Sequence, residues 1–170
     1  MALIKSVRGY TPSYGNDCWL AETATLIGEV SMGEQCTVWF NAVVRGDVNY
    51  IKIGDRTNIQ DNATIHGTYE KAATTIGSDV SIGHNALVHG CTLEDGVLVG
   101  MGAIVMDGAV VKKGAIVAAG AVVLEGTIIE EGSIYAGVPA KKVKEVAGEN
   151  REMQLRIAKN YIKYASWFKD

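Results

Sequence analysis

Residues 93–135 read LEDGVLVGMGAIVMDGAVVKKGAIVAAGAVVLEGTIIEEGSIY, and three columns run through them at a spacing of six. An aliphatic or aromatic side chain stands at Leu93, Val99, Val105, Val111, Val117, Val123, Ile129 and Tyr135. A glycine follows three positions after each of the first seven, from Gly96 to Gly132, and a small or β-branched residue follows each glycine, from Val97 and Ala103 to Thr127 and Ser133. Six residues are too few for a hairpin and do not fit a helical period. They suit one short strand and one tight turn, with glycine where the turn needs a positive φ. Three such units close a triangular coil of about 18 residues, so strands stack in parallel on three faces. The pattern predicts an all-β solenoid, a parallel β-helix of hexapeptide repeats.

The same register continues upstream as Ile76-Gly77, Ile82-Gly83 and Val88-His89, and less cleanly as Val30, Cys36, Ala42 and Val48. Cys36 falls in the small inward column and reads as a core residue. The chain then divides into an irregular lead-in over residues 1–20, a solenoid over 21–138, and a turn and α-helix over 139–170. Gly137-Val138-Pro139-Ala140 ends the repeat, since proline cannot donate to a ladder. Lys141, Lys142 and Lys144 read as a solvated turn. From Glu149 to Phe168, Met153, Ile157, Tyr161, Tyr164 and Phe168 recur at spacings of four and three, the stripe of a helix packed along the solenoid.

Composition agrees with this division. Twenty glycines against two prolines, with few aromatics, describe a core of small and β-branched side chains repeated many times. A formal charge of -3 gives no electrostatic case for nucleic acid or an anionic membrane. No apolar run is long enough to span a bilayer, and MALIKSVRGYTPSYG lacks the apolar core of a signal peptide. Cys18, Cys36 and Cys91 are an odd, scattered set without a CxxC pair, which points to a reducing cytoplasm.

All three histidines, His66, His84 and His89, fall within the stretch QDNATIHGTYEKAATTIGSDVSIGHNALVHGC of residues 60–91. Between Ile65 and Ile76 the repeat is overrun by five residues, placed in a polar loop at 67–71. With that loop set aside, Val88 returns to the face of Ile65. His66 and His89, each one residue past its aliphatic, then stack one coil apart at about 4.8 Å. That spacing suits two imidazoles sharing one ion. His84, two residues past Ile82, belongs to another corner, with Asp61 stacked beneath it and Gln60 beside it. A threefold oligomer would bring His84 of one subunit to His66 and His89 of the next, leaving an open coordination position at each interface. Nitrogen ligands alone point to Zn²⁺, with Fe²⁺ or Co²⁺ compatible. Arg45 and Asp47, two apart on one side of a strand, are placed to pair, and Asn58-Ile59-Gln60-Asp61 adds an amide and a carboxylate able to orient a metal's water or its ligands.

Taken together, RGDVNYIKIG, NIQD, TIHG, IGHNALVHGC and the GVPAK exit resemble the gamma-class carbonic anhydrase-like proteins, in particular the bacterial YrdA/PaaY-type group. The resemblance spans essentially the whole chain. It implies a left-handed β-helix, a homotrimer, and Zn²⁺ held by His66 and His89 of one subunit and His84 of another. It also implies an interface pair Arg45–Asp47, Gln60 as orienter of the metal's water, assistance from Asp61, and an active-site tyrosine from the C-terminal helix, matched by Tyr161. The implied activity is reversible hydration of CO₂ to bicarbonate by a metal-bound hydroxide. Well-characterised active members carry a carboxylate directly after the RGD-like aspartate and an acid-rich loop after the first histidine. This chain has Val48 at the first place and only Glu70 at the second. The proton-shuttle acids are thus missing and turnover is expected to be weak. The competing readings are a metal-hydroxide thioesterase or esterase, a non-catalytic trimeric metal-binding scaffold, and a hexapeptide acyltransferase, which would need a catalytic histidine on a long loop and a CoA groove.

Overall fold

The computed structural model describes residues 1–168 and shows a left-handed parallel β-helix with one helix, Gly148–Ser166, laid along it. The last two positions of the segment read as 139–170 lie outside the described residues. The inward columns are filled as the sequence demands. Leu26, Val38, Val44, Ile59, Ile65, Ile82, Val88, Val99 and Val105 alternate along the chain with Cys36, Ala42, Ala63, Ala86 and Ala103, all buried. Each coil thus presents large and small side chains in turn, and successive coils interlock because like residues stack.

On one face the strands Trp19–Leu20, Thr37–Val38, Asn58–Ile59, Ser81–Ile82, Leu98–Val99, Ile116–Val117 and Ser133–Ala136 pair in parallel, one coil to the next. The other two faces merge through the strand Val43–Ile53. Its first residues pair with Thr64–His66, and its last pair with Thr74–Ile76. Against the strand Thr25–Met32, two steps from Gly28 to Val30 are matched by five from Gly46 to Ile51. Residues 47–50 are therefore an excursion, and Val48 is half-buried instead of continuing the inward column of Val30, Cys36 and Ala42.

The αL corner explains why the repeat looks weaker upstream. Downstream it is glycine from Gly96 to Gly132. Upstream it is Gln35, Asn41, Arg56, Asn62, Asp79 and Asn85, each with a φ between 54° and 60°. Gly77 and Gly83, which follow their aliphatic residues directly, serve a different need. A Cβ there would lie 2.7 Å from the backbone nitrogens of Asp95 and Met101 in the next coil.

Residues 1–20, expected to be irregular, start the solenoid. Leu3–Lys5 and Ser13–Tyr14 pair in parallel with Thr25–Met32, and Trp19–Leu20 joins the third face. Their side chains stay largely exposed or half-buried, which is why no inward column announced them. Lys141–Glu145, expected as a turn, is an exposed antiparallel strand on Ser133–Ala136, and Lys142 pairs with Glu130 and Glu145.

The helix sits over the face of Thr37–Val38, Asn58–Ile59 and Ser81–Ile82. Its seam is narrower than the apolar stripe: Gln154, Ala158 and Ala165 are the buried positions, while Met153, Ile157, Tyr161 and Tyr164 flank them half-buried. Gln154 Nε2 donates to the carbonyls of Gly96, Gly114 and Ala115, tying the helix to corners of two coils. Phe168 stacks near Trp19, Trp39 and Phe40 at its other end.

Two glycines separate the cost of a left-handed corner from the cost of contact. Gly102, at φ 66°, has open space where a Cβ would stand, whereas at Gly28, φ 74°, a Cβ would lie 2.4 Å from the Gly46 carbonyl oxygen. Gly102→Ala should lower unfolding stability by about 1–2 kcal/mol, the cost of an L residue in that conformation. Gly28→Ala should cost clearly more, because backbone must move. Denaturant titration of the two variants beside the parent checks both, and equal losses would contradict this account.

Candidate metal centre

Ile65 and Val88 point inward and are fully buried, so by the two-residue alternation of a strand their neighbours His66 and His89 point out. The strand Thr64–His66 pairs with Leu87–His89 with His66 opposite His89, and Nδ1 of His66 stands 3.2 Å from Nε2 of His89. Thr74, buried beneath them, donates its hydroxyl to the His66 carbonyl at 2.5 Å and accepts the Gly90 N–H at 3.0 Å. Backbone and rings are thus both held.

Each ring has a carboxylate on its far side. Nε2 of His66 lies 2.9 Å from Oδ1 of Asp47, whose other oxygen takes Nη1 of Arg45 at 2.5 Å. The excursion at 47–50 is what turns Asp47 back over His66. Nδ1 of His89 lies 2.5 Å from Oδ1 of Asp107, whose Oδ2 accepts the Thr68 hydroxyl at 2.5 Å. Burial works to raise the pKa of Asp47, but hydrogen bonds from His66 and Arg45 outweigh it and hold the carboxyl below its ordinary range. Burial is likewise outweighed at Asp107, by hydrogen bonds from Thr68 and His89.

The proton positions follow. An ionised carboxylate only accepts, so Nε2 of His66 and Nδ1 of His89 carry the hydrogens. The two nitrogens that face each other are then lone-pair donors, an arrangement that is repulsive unless a cation or an extra proton sits between them. The donor set fits a metal ion.

The second corner repeats the chemistry. His84 stacks on Asp61, as the register required, with Nδ1 2.8 Å from Oδ2. Oδ1 of Asp61 accepts the Phe40 N–H at 3.2 Å. Nε2 of His84 faces the Tyr161 hydroxyl at 3.3 Å. Burial pushes the Tyr161 phenol up to about 12, with the charge of Asp61 and the neighbouring Tyr164 adding to it. Gln60 is buried and donates Nε2 to Asn58 Oδ1 at 3.0 Å, while Asn58 donates to Ser81. Gln60 and Tyr161 both line a largely apolar groove of about 480 Å³ between helix and solenoid, with Leu98, Met101, Met153 and Ile157.

The chain therefore groups Arg45, Asp47, His66 and His89 at one corner and Gln60, Asp61, His84 and Tyr161 at the other. Among the described residues, no three His, Cys, Asp or Glu side chains converge as a metal site within one chain. Glu70 lies in a small recess with Arg8, Asp47, Asn49 and Tyr69. There Arg8 donates to the Asp47 carbonyl at 3.3 Å and its guanidinium stands 5.5 Å from the Tyr69 ring centroid.

Three contributors were not found from sequence: Asp107, Thr68 and Arg8. Asp107 falls two residues past Val105, which pairs with Val88, so simple stacking sets it one step beyond His89. The corner from Val88 to Leu93 is one residue shorter than its neighbours, and the spacing of those two aliphatics was the only available signal.

No protein-family model matches the chain. It is 36% identical to the protein named YrdA of Escherichia coli, over 99% of this chain and 95% of that one. It is 38% identical to a carbonic anhydrase of Geobacillus kaustophilus, over 98% and 91% of the two chains. It is 42% identical to the mitochondrial gamma carbonic anhydrase 2 of Arabidopsis thaliana over 91% of its length, but spans only 58% of that relative. Among solved structures it is similar to a hexapeptide transferase family protein from Anaplasma phagocytophilum, with a TM-score of 0.94 and 37% identity, covering 98% of each chain.

Long-range ¹H–¹⁵N spectra of the imidazoles check the proton assignment. They should place a proton on Nε2 of His66 and on Nδ1 of His84 and His89. Asp61→Asn should shift the His84 resonances and leave those of His66 and His89 in place.

Proposed function

The chain belongs to the gamma carbonic anhydrase-like family of hexapeptide-repeat proteins, and from that membership we propose that it is a metal-dependent lyase interconverting CO₂ and bicarbonate at a site shared between subunits. One observation carries the reading. Each of the three imidazoles has one ring N–H held by a carboxylate, Asp47, Asp61 or Asp107, which leaves its other nitrogen a lone-pair donor. Such carboxylate–histidine pairs fix tautomer and ring direction and raise ligand basicity.

A homotrimer would join His84 of one subunit to His66 and His89 of its neighbour, and the separation of the three rings into two corners supports that assembly. Three nitrogen donors without a thiolate favour Zn²⁺, with Fe²⁺ or Co²⁺ accommodated. When bound, such an ion supplies Lewis acidity and a water acidic enough to ionise near neutral pH. This chain's residues do the positioning. Arg45 holds Asp47, and Asp47 holds His66. Gln60, its amide nitrogen committed to Asn58, keeps its carbonyl oxygen to accept a hydrogen bond from water. Tyr161, its phenol held protonated by burial, donates at the His84 corner. Asp61 both orients His84 and ties it to the Phe40 backbone. The proton released by hydration has Glu70 as its nearby acidic acceptor, with Val48 in place of a second acid, so turnover relies on Glu70 or buffer and is slow.

A second reading rests on the groove beside His84, whose apolar lining suits the acyl part of an ester or thioester substrate better than CO₂. No histidine stands on a long loop, which disfavours an acyltransferase. No helix is long and apolar enough to cross a membrane among the described residues. Cysteines without disulfides fit a cytoplasmic setting.

Metal content per chain and oligomer mass, followed by stopped-flow CO₂ hydration with zinc- and iron-loaded protein, test the reading. The expected result is a trimer with one metal per chain and hydration above buffer. His84→Ala should reduce metal to near zero while mass and circular dichroism stay unchanged. Bound metal with no hydration but hydrolysis of acyl thioesters would shift the assignment to the second reading, and bound metal with neither would make the protein a metal-binding scaffold.

A further inference from the structure

The contacts around His89 form a chain that the hydration reading does not require. Asp107 takes the His89 Nδ1–H at 2.5 Å, and Thr68 donates its hydroxyl to the other Asp107 oxygen at 2.5 Å. Thr68 is itself fixed. It belongs to the loop at 67–71, its N–H bonds to the Ala72 carbonyl at 2.9 Å, and its carbonyl accepts from Asn49 Nδ2 at 3.3 Å. Gly90 shows that space has been kept for the carboxylate. A Cβ at that position would lie 2.5 Å from Asp107 Oδ1 and 2.7 Å from the Ala72 Cβ. The Asp107 side chain is 16% exposed, against 25% for Asp47, so solvent competes little for it. Farther along the same edge, Lys71 pairs with Glu125 at 2.8 Å, so the loop is tied to the two successive coils above the histidines.

We propose that Thr68 and Asp107 are positioning residues: a hydrogen-bonded relay from the loop at 67–71 that fixes the tautomer and direction of His89 and so sets the affinity of the site for a divalent ion. The proposal rests on the metal-centre reading above. The loop then serves the site through Thr68. Thr68 fixes the carboxylate, the carboxylate fixes the ring, and Gly90 keeps their path clear. Lys71 and Glu125 anchor the loop at the exposed surface, and the Lys71 charge helps to hold Asp107 ionised.

The test is Co²⁺ and Zn²⁺ affinity by chelator competition, read together with the visible spectrum of the Co²⁺ form and the ¹⁵N resonances of His89 in metal-free protein. Loss of a hydrogen-bonded carboxylate behind a ligand histidine costs about 10–100-fold in metal affinity. Asp107→Ala should reach the upper part of that range and Asp107→Asn the lower part, with an altered Co²⁺ spectrum and a shifted His89 Nδ1. Thr68→Val, on an external loop that does not carry the fold, should show a smaller loss in the same direction. Thr68→Ser should restore parent affinity, and Lys144→Ala, on the exposed strand Lys141–Glu145, should leave it unchanged. Parent affinity and an unaltered Co²⁺ spectrum in both Asp107→Ala and Thr68→Val would overturn the relay. If the parent takes up neither metal, the metal-centre reading fails by itself. The relay is then decided on metal-free protein, where an unmoved His89 Nδ1 in Asp107→Ala overturns it and a shifted one sustains its positioning role.

Discussion

Backbone hydrogen bonds between successive coils give each paired strand residue inside this solenoid one neighbour above and one below, at a separation no side chain can change. Ser81 must lie on Asn58 and beneath Leu98, and Ile82 on Ile59 and beneath Val99. The core follows at once, because inward columns stack like on like and volumes have to alternate within each coil to fill the interior. The polar chemistry follows too. A pair of outward residues in one column is held at inter-strand distance by the whole ladder, so His66 and His89 are brought ring to ring without a contact of their own making.

How much of this the sequence shows depends on where the ladder runs undisturbed. From Leu93 onward the αL corner is always glycine, the columns never slip, and the fold can be read by counting. Before it, Asn41, Arg56, Asn62 and Asn85 occupy the same conformation, since short polar side chains tolerate αL and packing overrides the rest. No single residue type then marks the corner. The stacking of His66 on His89 and of Asp61 under His84 was still legible, because the five extra residues at 67–71 are polar enough to be assigned to one loop. The slip at 47–50 was not, since Val48 is as apolar as an inward residue and only the pairing of Val30 with Ile51 shows that it has left the column. The lead-in hid its strands for the opposite reason: Leu3–Lys5 is exposed throughout and carries no burial pattern to read. On the helix, the stripe marked the correct side but not the contact seam, where Ala158, Ala165 and the thrice-bonded Gln154 allow closer approach than the aromatic residues do.

Between Thr25 and Ile129 the departures from regularity are not spread along the chain. The excursion at 47–50, the loop at 67–71 and the short corner from Val88 to Leu93 all fall around the stacked pair His66 and His89. A perfect repeat could not build that corner. With two imidazoles in one column, the places directly above and below each ring are taken by strand neighbours, and the carboxylates that must take their N–H groups have to come from outside the column. Two irregularities supply those carboxylates and the third steadies one of them: the excursion turns Asp47 onto His66, the short corner admits Asp107 to His89, and the loop brings Thr68 to hold Asp107. The other corner makes the contrast. His84 stands alone in its column, Asp61 occupies the place beneath it, and the regular stacking of one coil on the next already delivers the hydrogen bond. There the repeat is unbroken. Between Thr25 and Ile129 irregularity thus appears where two donors must share one position, and the three insertions and deletions there are the local geometry that a paired-imidazole corner requires.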